Sequence, residues 1–183
     1  MMVCPTDFVA RETGFWQMEE IRAIAGEGLA FASSLDVVDG DDKTSRENVR
    51  WVLRGTAGNL RYTTRSERDR LDEHQRAPRN GGTRRAVLIA ICKSGQWWSM
   101  AQDERRAIIQ EKSAHFEIGM DYLPAVERRL YHSRELGEPF DFVTWFEFQE
   151  GDTPGFDALL SRLRATDEWR FVTREVEIRL LTR

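Results

Sequence analysis

Apolar and polar positions are easiest to read in the second half of the chain. Val87-Leu-Ile-Ala-Ile-Cys92 is a short apolar run rich in β-branched residues, which predicts a buried strand. Met100 to Gly119 is charged and predicts a helix, with Asp103-Glu104 at its positive end. Ile108, Lys112 and His115 fall at helical spacing on one side of that helix, and Gly119 and Pro124 close it. Ala125–Glu135 and Asp141–Gln149 read as strands joined by the turn Leu136-Gly-Glu-Pro139. Thr153-Pro154 then starts a helix, a hydroxyl cap followed by a proline, and Phe156, Leu159, Leu160 and Leu163 form its apolar stripe. In Phe171–Leu181 a last strand is expected, with Val172, Val176, Ile178 and Leu180 on one face.

Strand, helix, strand, strand, helix, strand is the split βαβ, or ferredoxin-like, order. The first half reads as a poorer copy. Gly14–Arg22 and Val49–Arg54 are expected strands and Thr64–Gln75 a polar helix, while Ala25–Asp42 is expected to be mostly loop and Arg76–Arg85 a basic linker. The expected class is α+β, two ferredoxin-like halves stacked sheet to sheet. Residues 1–85 would form a shortened half and 86–183 a complete one.

Composition changes this little. The 183 residues allow one sizeable domain or two intimately packed small ones. A net charge of −4 argues against nucleic acid or anionic membrane as partner. No stretch approaches the ~20 apolar residues of a spanning helix. Met1–Phe15 has neither the basic start nor the apolar run of a signal peptide, so a cytoplasmic protein is expected. The two cysteines, Cys4 and Cys92, form no ligand pattern.

Three histidines, His74, His115 and His132, include no pair at zinc-site spacing. His115 lies beside Ala114, Phe116 and Ile118 near the expected helix end, where it reads as a core or surface residue or as a ligand. Lys93-Ser-Gly-Gln-Trp97-Trp98 puts two large flat rings and a lysine at a strand end. They read as a wall for a planar anionic group or as a plug under a solvated lysine. On its strand Arg128 shares a face with Val126, Leu130 and His132, opposite Arg129 and Tyr131, so one of the two arginines points inward. An inward guanidinium needs an anion, in a salt bridge or in a binding site. Gln75, four residues after Leu71, shares the inward side of its helix. Taken singly, Glu168 reads first as a helix-end carboxylate, and Asn59 and Tyr62 as turn residues.

Taken together, Lys93-Ser-x-x-Trp97-Trp98, His115, the run Tyr122 to His132, the run Asp141 to Glu147 and the run Glu168 to Arg179 resemble the chlorite dismutase family. The likeness runs from about Asn48 to the C-terminus; the first 45 residues carry little of it. The short length is similar to the branch with a truncated N-terminal half, whose members are dimers. The resemblance implies an α+β barrel of two ferredoxin-like halves, haem b as cofactor and a homodimer. His115 would ligate the iron, and Glu168 would accept the hydrogen bond from its other ring nitrogen. Arg128 would be the distal catalytic residue, with Gln75 holding it. Lys93, Tyr62 and Asn59 would bind haem propionates, and Trp97 would pack close to the haem. The implied reaction converts chlorite to chloride and dioxygen, with chlorite and other small anions as partners.

Three alternatives stand beside it. A coproheme decarboxylase of the same superfamily carries no arginine at the distal position. A dye-decolourising peroxidase carries Gly-x-x-Asp-Gly, whereas here Asp39-Gly40 follows Asp36 in place of the glycine. A non-enzymatic haem carrier would need the axial histidine alone.

Overall fold

The computed structural model describes residues 5–39, 48–58, 64–74, 84–123 and 125–182, apart from the side chains at 39, 68 and 71–74. Eight strands close into an antiparallel barrel. They are β1 (Thr6–Arg11), β2 (Trp16–Ala25), β3 (Ser34–Asp39), β4 (Val49–Ala57), β5 (Arg84–Lys93), β6 (Val126–His132), β7 (Phe142–Gln149) and β8 (Val172–Thr182). Around the barrel the order is β1-β3-β2-β8-β5-β7-β6-β4. Each run of four, β1–β4 and β5–β8, therefore lies in the same spatial order: fourth, first, third, second. The long β2–β8 ladder joins the two runs on one side, and two pairs, Thr56↔His132 and Ala57↔Tyr131, close the barrel on the other.

Strand alternation splits the apolar residues into two cores. Leu88 on β5, Tyr131 on β6, Trp145 on β7 and Ile178 on β8 turn inward to meet Phe8 and Leu53 in the barrel centre. Ile89, Val126 and Phe146 turn outward from the same sheet and are covered by Phe156, Leu160 and Leu163 of a helix, α5 (Thr153–Arg164). β5 is thus buried on both faces, which is why it reads as a continuous apolar run.

The other helices are α1 (Arg65–His74), α2 (Gly95–Ser99), α3 (Gln102–Ala107) and α4 (His115–Met120). Among the described residues, none is long and apolar enough to cross a membrane.

Four expectations are corrected. β1, and β3 within the expected loop at 25–42, are both strands. β3 escapes the pattern because Asp36 interrupts its apolar residues. The Asp36 carboxylate accepts from the Phe15 amide at 2.7 Å and pairs with Arg11, holding the β1–β2 turn. The single helix expected over 100–119 is three pieces: α3, a π turn at Ile108–Lys112 and α4. Asp152 occupies the N-cap of α5 without a side-chain bond, while the Thr153 hydroxyl donates to the Glu150 carbonyl instead. Lastly, Val172 packs on the outer core, not with Val176, Ile178 and Leu180.

On the outer face of β8, Glu175 and Glu177 are fully buried, and Arg164 of α5 bonds both carboxylates. At the barrel seam Gly55 of β4 lies against β6, and a Cβ there would come 2.6 Å from Tyr131 Cβ and 2.9 Å from Ser133 Oγ. Gly55→Ala is expected to cost about 1–3 kcal/mol by overpacking. Urea titration would measure it, and an unchanged midpoint would mean that the seam yields freely.

Candidate active site

A cavity opens between the outer face of β5, β6 and β7 and the helices that cover it. Its wall is mostly apolar, from Ile89, Ile91, Leu130, Phe146 and Leu160. Among the polar residues that line it, Lys93, His115, Arg128 and Glu168 come from four separate segments.

Three of these form a buried chain. Glu168 sits in a 3-10 turn at Asp167–Phe171 just before β8. Its carboxylate accepts from His115 Nδ1 at 2.6 Å and from Lys93 Nζ at 2.9 Å. The Lys93 and Glu168 side chains are 2% and 8% exposed, so neither ion has water to solvate it. Burial pushes the Glu168 carboxyl up, but the charges of His115 and Lys93 outweigh it and hold it well below the usual carboxylate range. An ionised carboxylate only accepts, so Nδ1 of His115 carries the proton of this bond and Nε2 is the ring nitrogen not engaged by Glu168. The His115 side chain remains 22% exposed.

Lys93, expected at a haem propionate, is bonded here to Glu168. Its ammonium is taken by Glu168 and lies 4.5 Å over the ring of Trp97. Trp97 forms part of the cavity wall and supports that ammonium. Trp98 diverges from it, stacking on Phe142 with its indole nitrogen bonded to Asp141. The two rings do not make one flat surface.

His115 is not at a helix end; it opens α4. The preceding residue, Ala114, has φ 49° and ψ 36°, left-handed backbone that breaks the helix. Ser113, buried at the break, accepts the Glu168 amide at 3.0 Å, so the chain kink also fixes the carboxylate's backbone. Neither Ser113 nor the break has a signature in residue spacing.

Glu67 at the start of α1 reaches the same region. One carboxylate oxygen accepts from the Thr64 amide in a capping box, and the other accepts from Arg106 and Gln110, both at 2.9 Å. Partial burial raises this carboxyl, but the bonds from Arg106, the Thr64 backbone and Gln110 bring it down to about 2.

Arg128 enters from β6, on one face with Val126, Leu130 and His132 as the alternation requires, while Tyr131 points into the barrel. Burial pushes its guanidinium below the ordinary value, and the Glu168 carboxylate pulls it back up. His132 donates from Nε2 to the Gly58 carbonyl at 2.6 Å, at the barrel seam. Asn59, Tyr62 and Gln75 lie outside the described residues.

The family profile described as chlorite dismutase matches residues 57–182. The chain belongs to the chlorite dismutase family. A dimeric chlorite dismutase from Nitrobacter winogradskyi is 44% identical over 97% of this chain and 99% of its own, with a TM-score of 0.89. A mutant chlorite dismutase from Candidatus Nitrospira defluvii, 20% identical over 100% of this chain and 92% of its own, shares the fold at a TM-score of 0.71. Among curated proteins, the chlorite dismutase of Ideonella dechloratans is 30% identical over 89 residues. That stretch spans 49% of this chain and 29% of the relative.

The family is haem-dependent, and the site fits such a group. It offers one imidazole nitrogen, Nε2 of His115, at a mostly apolar cavity. Among the described residues no cluster of three or more His, Cys, Asp or Glu side chains offers a conventional metal site.

Two predictions follow from the kink and from Glu67. Ala114 is exposed and strained, so Ala114→Gly is expected to be neutral or stabilising by up to about 1 kcal/mol, against a cost of about 1 kcal/mol in an ordinary helix. Thermal unfolding that shows a clear loss would contradict the strain. Glu67, with its lowered carboxyl, favours the folded state above pH ~4.5 and loses that contribution as pH falls toward 2. Wild type should therefore exceed Glu67→Gln in urea resistance at pH 7, with the gap narrowing by pH 3; a gap independent of pH would refute the assignment.

Proposed function

We propose that this chain is a haem b enzyme that converts chlorite to chloride and dioxygen. The observation that carries the reading is the His115 Nδ1–Glu168 Oε2 bond of 2.6 Å at a cavity that also receives Arg128. His115 would hold the iron through Nε2. Glu168, bonded to Nδ1, would fix the ring and make it a stronger donor, which favours high oxidation states. Lys93 keeps that carboxylate ionised and in place. Bound haem would supply the redox chemistry of the Cl–O bond.

Arg128 would act on the anion. Its charge is permanent and its donors are fixed in a plane, so it can hold chlorite and keep an anionic fragment from escaping before dioxygen forms. No acid–base histidine is required, because the overall reaction transfers no net proton. Asn59 and Tyr62 are proposed to bind propionates, Trp97 to flank the haem, and Gln75 to hold Arg128. We read the two four-strand runs as ferredoxin-like halves and the assembly as a homodimer, by likeness to the dimeric relative.

The haem-loaded protein is expected to evolve dioxygen from chlorite at an oxygen electrode; none from a fully loaded sample would refute the function. Arg128→Ala should keep haem, lose about 10²-fold or more in turnover and release more hypochlorite to a chlorination trap. Loss of haem in that variant would make Arg128 structural. His115→Ala should lose the histidine-ligated haem spectrum.

A further inference from the structure

We infer that Gln110 is the positioning residue for the axial histidine and that Glu67 anchors it. This rests on the reading of His115 as iron ligand. The kink at Ala114 leaves α4 to begin with a residue that has no capping side chain. Gln110, on the π turn before the kink, supplies the cap from a distance. Its Oε1 accepts the Phe116 amide at 3.0 Å, the first N–H after His115. The Gln110 backbone carbonyl also accepts from Ser113 and from Ala114, at 3.0 Å for the latter, closing the turn that ends at the kink. One residue thus ties both sides of the break.

The amide can face only one way. Phe116 N–H offers a hydrogen and requires an acceptor; the Glu67 carboxylate offers only acceptors and requires the Nε2 hydrogens, which reach it at 2.9 Å. Leucine would satisfy neither neighbour, and glutamate would set a second carboxylate against Glu67. Glu67 is itself fixed, by the capping box with Thr64 and by Arg106. Arg70, one turn further along α1, lies 5.2 Å over the Phe116 ring and bonds Glu117. The start of α4 is therefore held from α1. A site of this kind needs its ligand placed within about 0.5 Å and 10–20°, and His115 is the residue between the kink and the capped amide.

The test uses haem-loaded protein and two readouts other than turnover: the iron–histidine stretching band of the ferrous form by resonance Raman, and the rate of haem loss to apomyoglobin. Gln110→Leu and Gln110→Glu are each expected to shift or broaden the band and to speed haem loss by about tenfold, the scale of one hydrogen bond. The double variant Glu67→Gln/Gln110→Glu restores a donor facing an acceptor and should return both readouts toward wild type. Unchanged bands in both single variants would overturn the inference, as would a double variant no better than Gln110→Glu. His115→Ala separates the two levels. If it abolishes the band while the Gln110 variants leave it intact, Gln110 has no positioning role and the ligand stands. If the band survives His115→Ala, the reading of the site itself has failed.

Discussion

Glu168 has to stay ionised with almost no access to water, and much of the site is arranged around that demand. An unpaired buried carboxylate would take up a proton or unfold its surroundings. Here Lys93 comes from the end of β5, His115 from the start of α4 and the amide acceptor Ser113 from the turn between. Strand, kink and 3-10 turn are thereby bound to one oxygen pair. The same charge decides the imidazole's chemistry, since it fixes the proton on Nδ1 and leaves Nε2 directed at chemistry.

The barrel makes this arrangement possible by burying β5 twice. Its inner face fills the barrel, and its outer face becomes one wall of the cavity. Lys93 continues the outer row of Val87, Ile89 and Ile91 along β5, and the pairing with β8 shifts between Cys92 and Lys93, where the lysine bonds Glu168. Arg128 arrives by the same logic from β6. The two cationic residues Lys93 and Arg128 are thus extensions of apolar rows, whereas Glu168 comes from the 3-10 turn before β8.

The helical side works by interruption. A continuous helix from Gln102 through Met120 would have carried His115 on along its own period. The left-handed residue at Ala114 restarts the count, so α4 takes its own direction. Such strain persists only where neighbours over-determine it, and Gln110, Ser113 and the contacts of α1 with Phe116 and Glu117 are the neighbours that do so.

The second half of the fold was largely legible from residue patterns, because β5–β8 and α5 bury regular faces whose periods of two and near four survive in one dimension. Strand alternation put Arg128 on one face with Val126, Leu130 and His132 but left open whether that face or Arg129's was the covered one. His115, Glu168 and Trp97 were reached through resemblance, since each alone has an ordinary explanation. The strands β1 and β3 did not announce themselves: they are short, and Asp36 serves a turn from within β3. Nothing in the chain forecast that Lys93 would face Glu168, that Trp97 and Trp98 would part, or that Gln110 and Glu67 would brace α4. The Lys93–Glu168 and Glu67–Gln110 bonds join residues 75 and 43 positions apart. Local periodicity records which face a residue occupies, and only closure of the barrel determines what that face will meet.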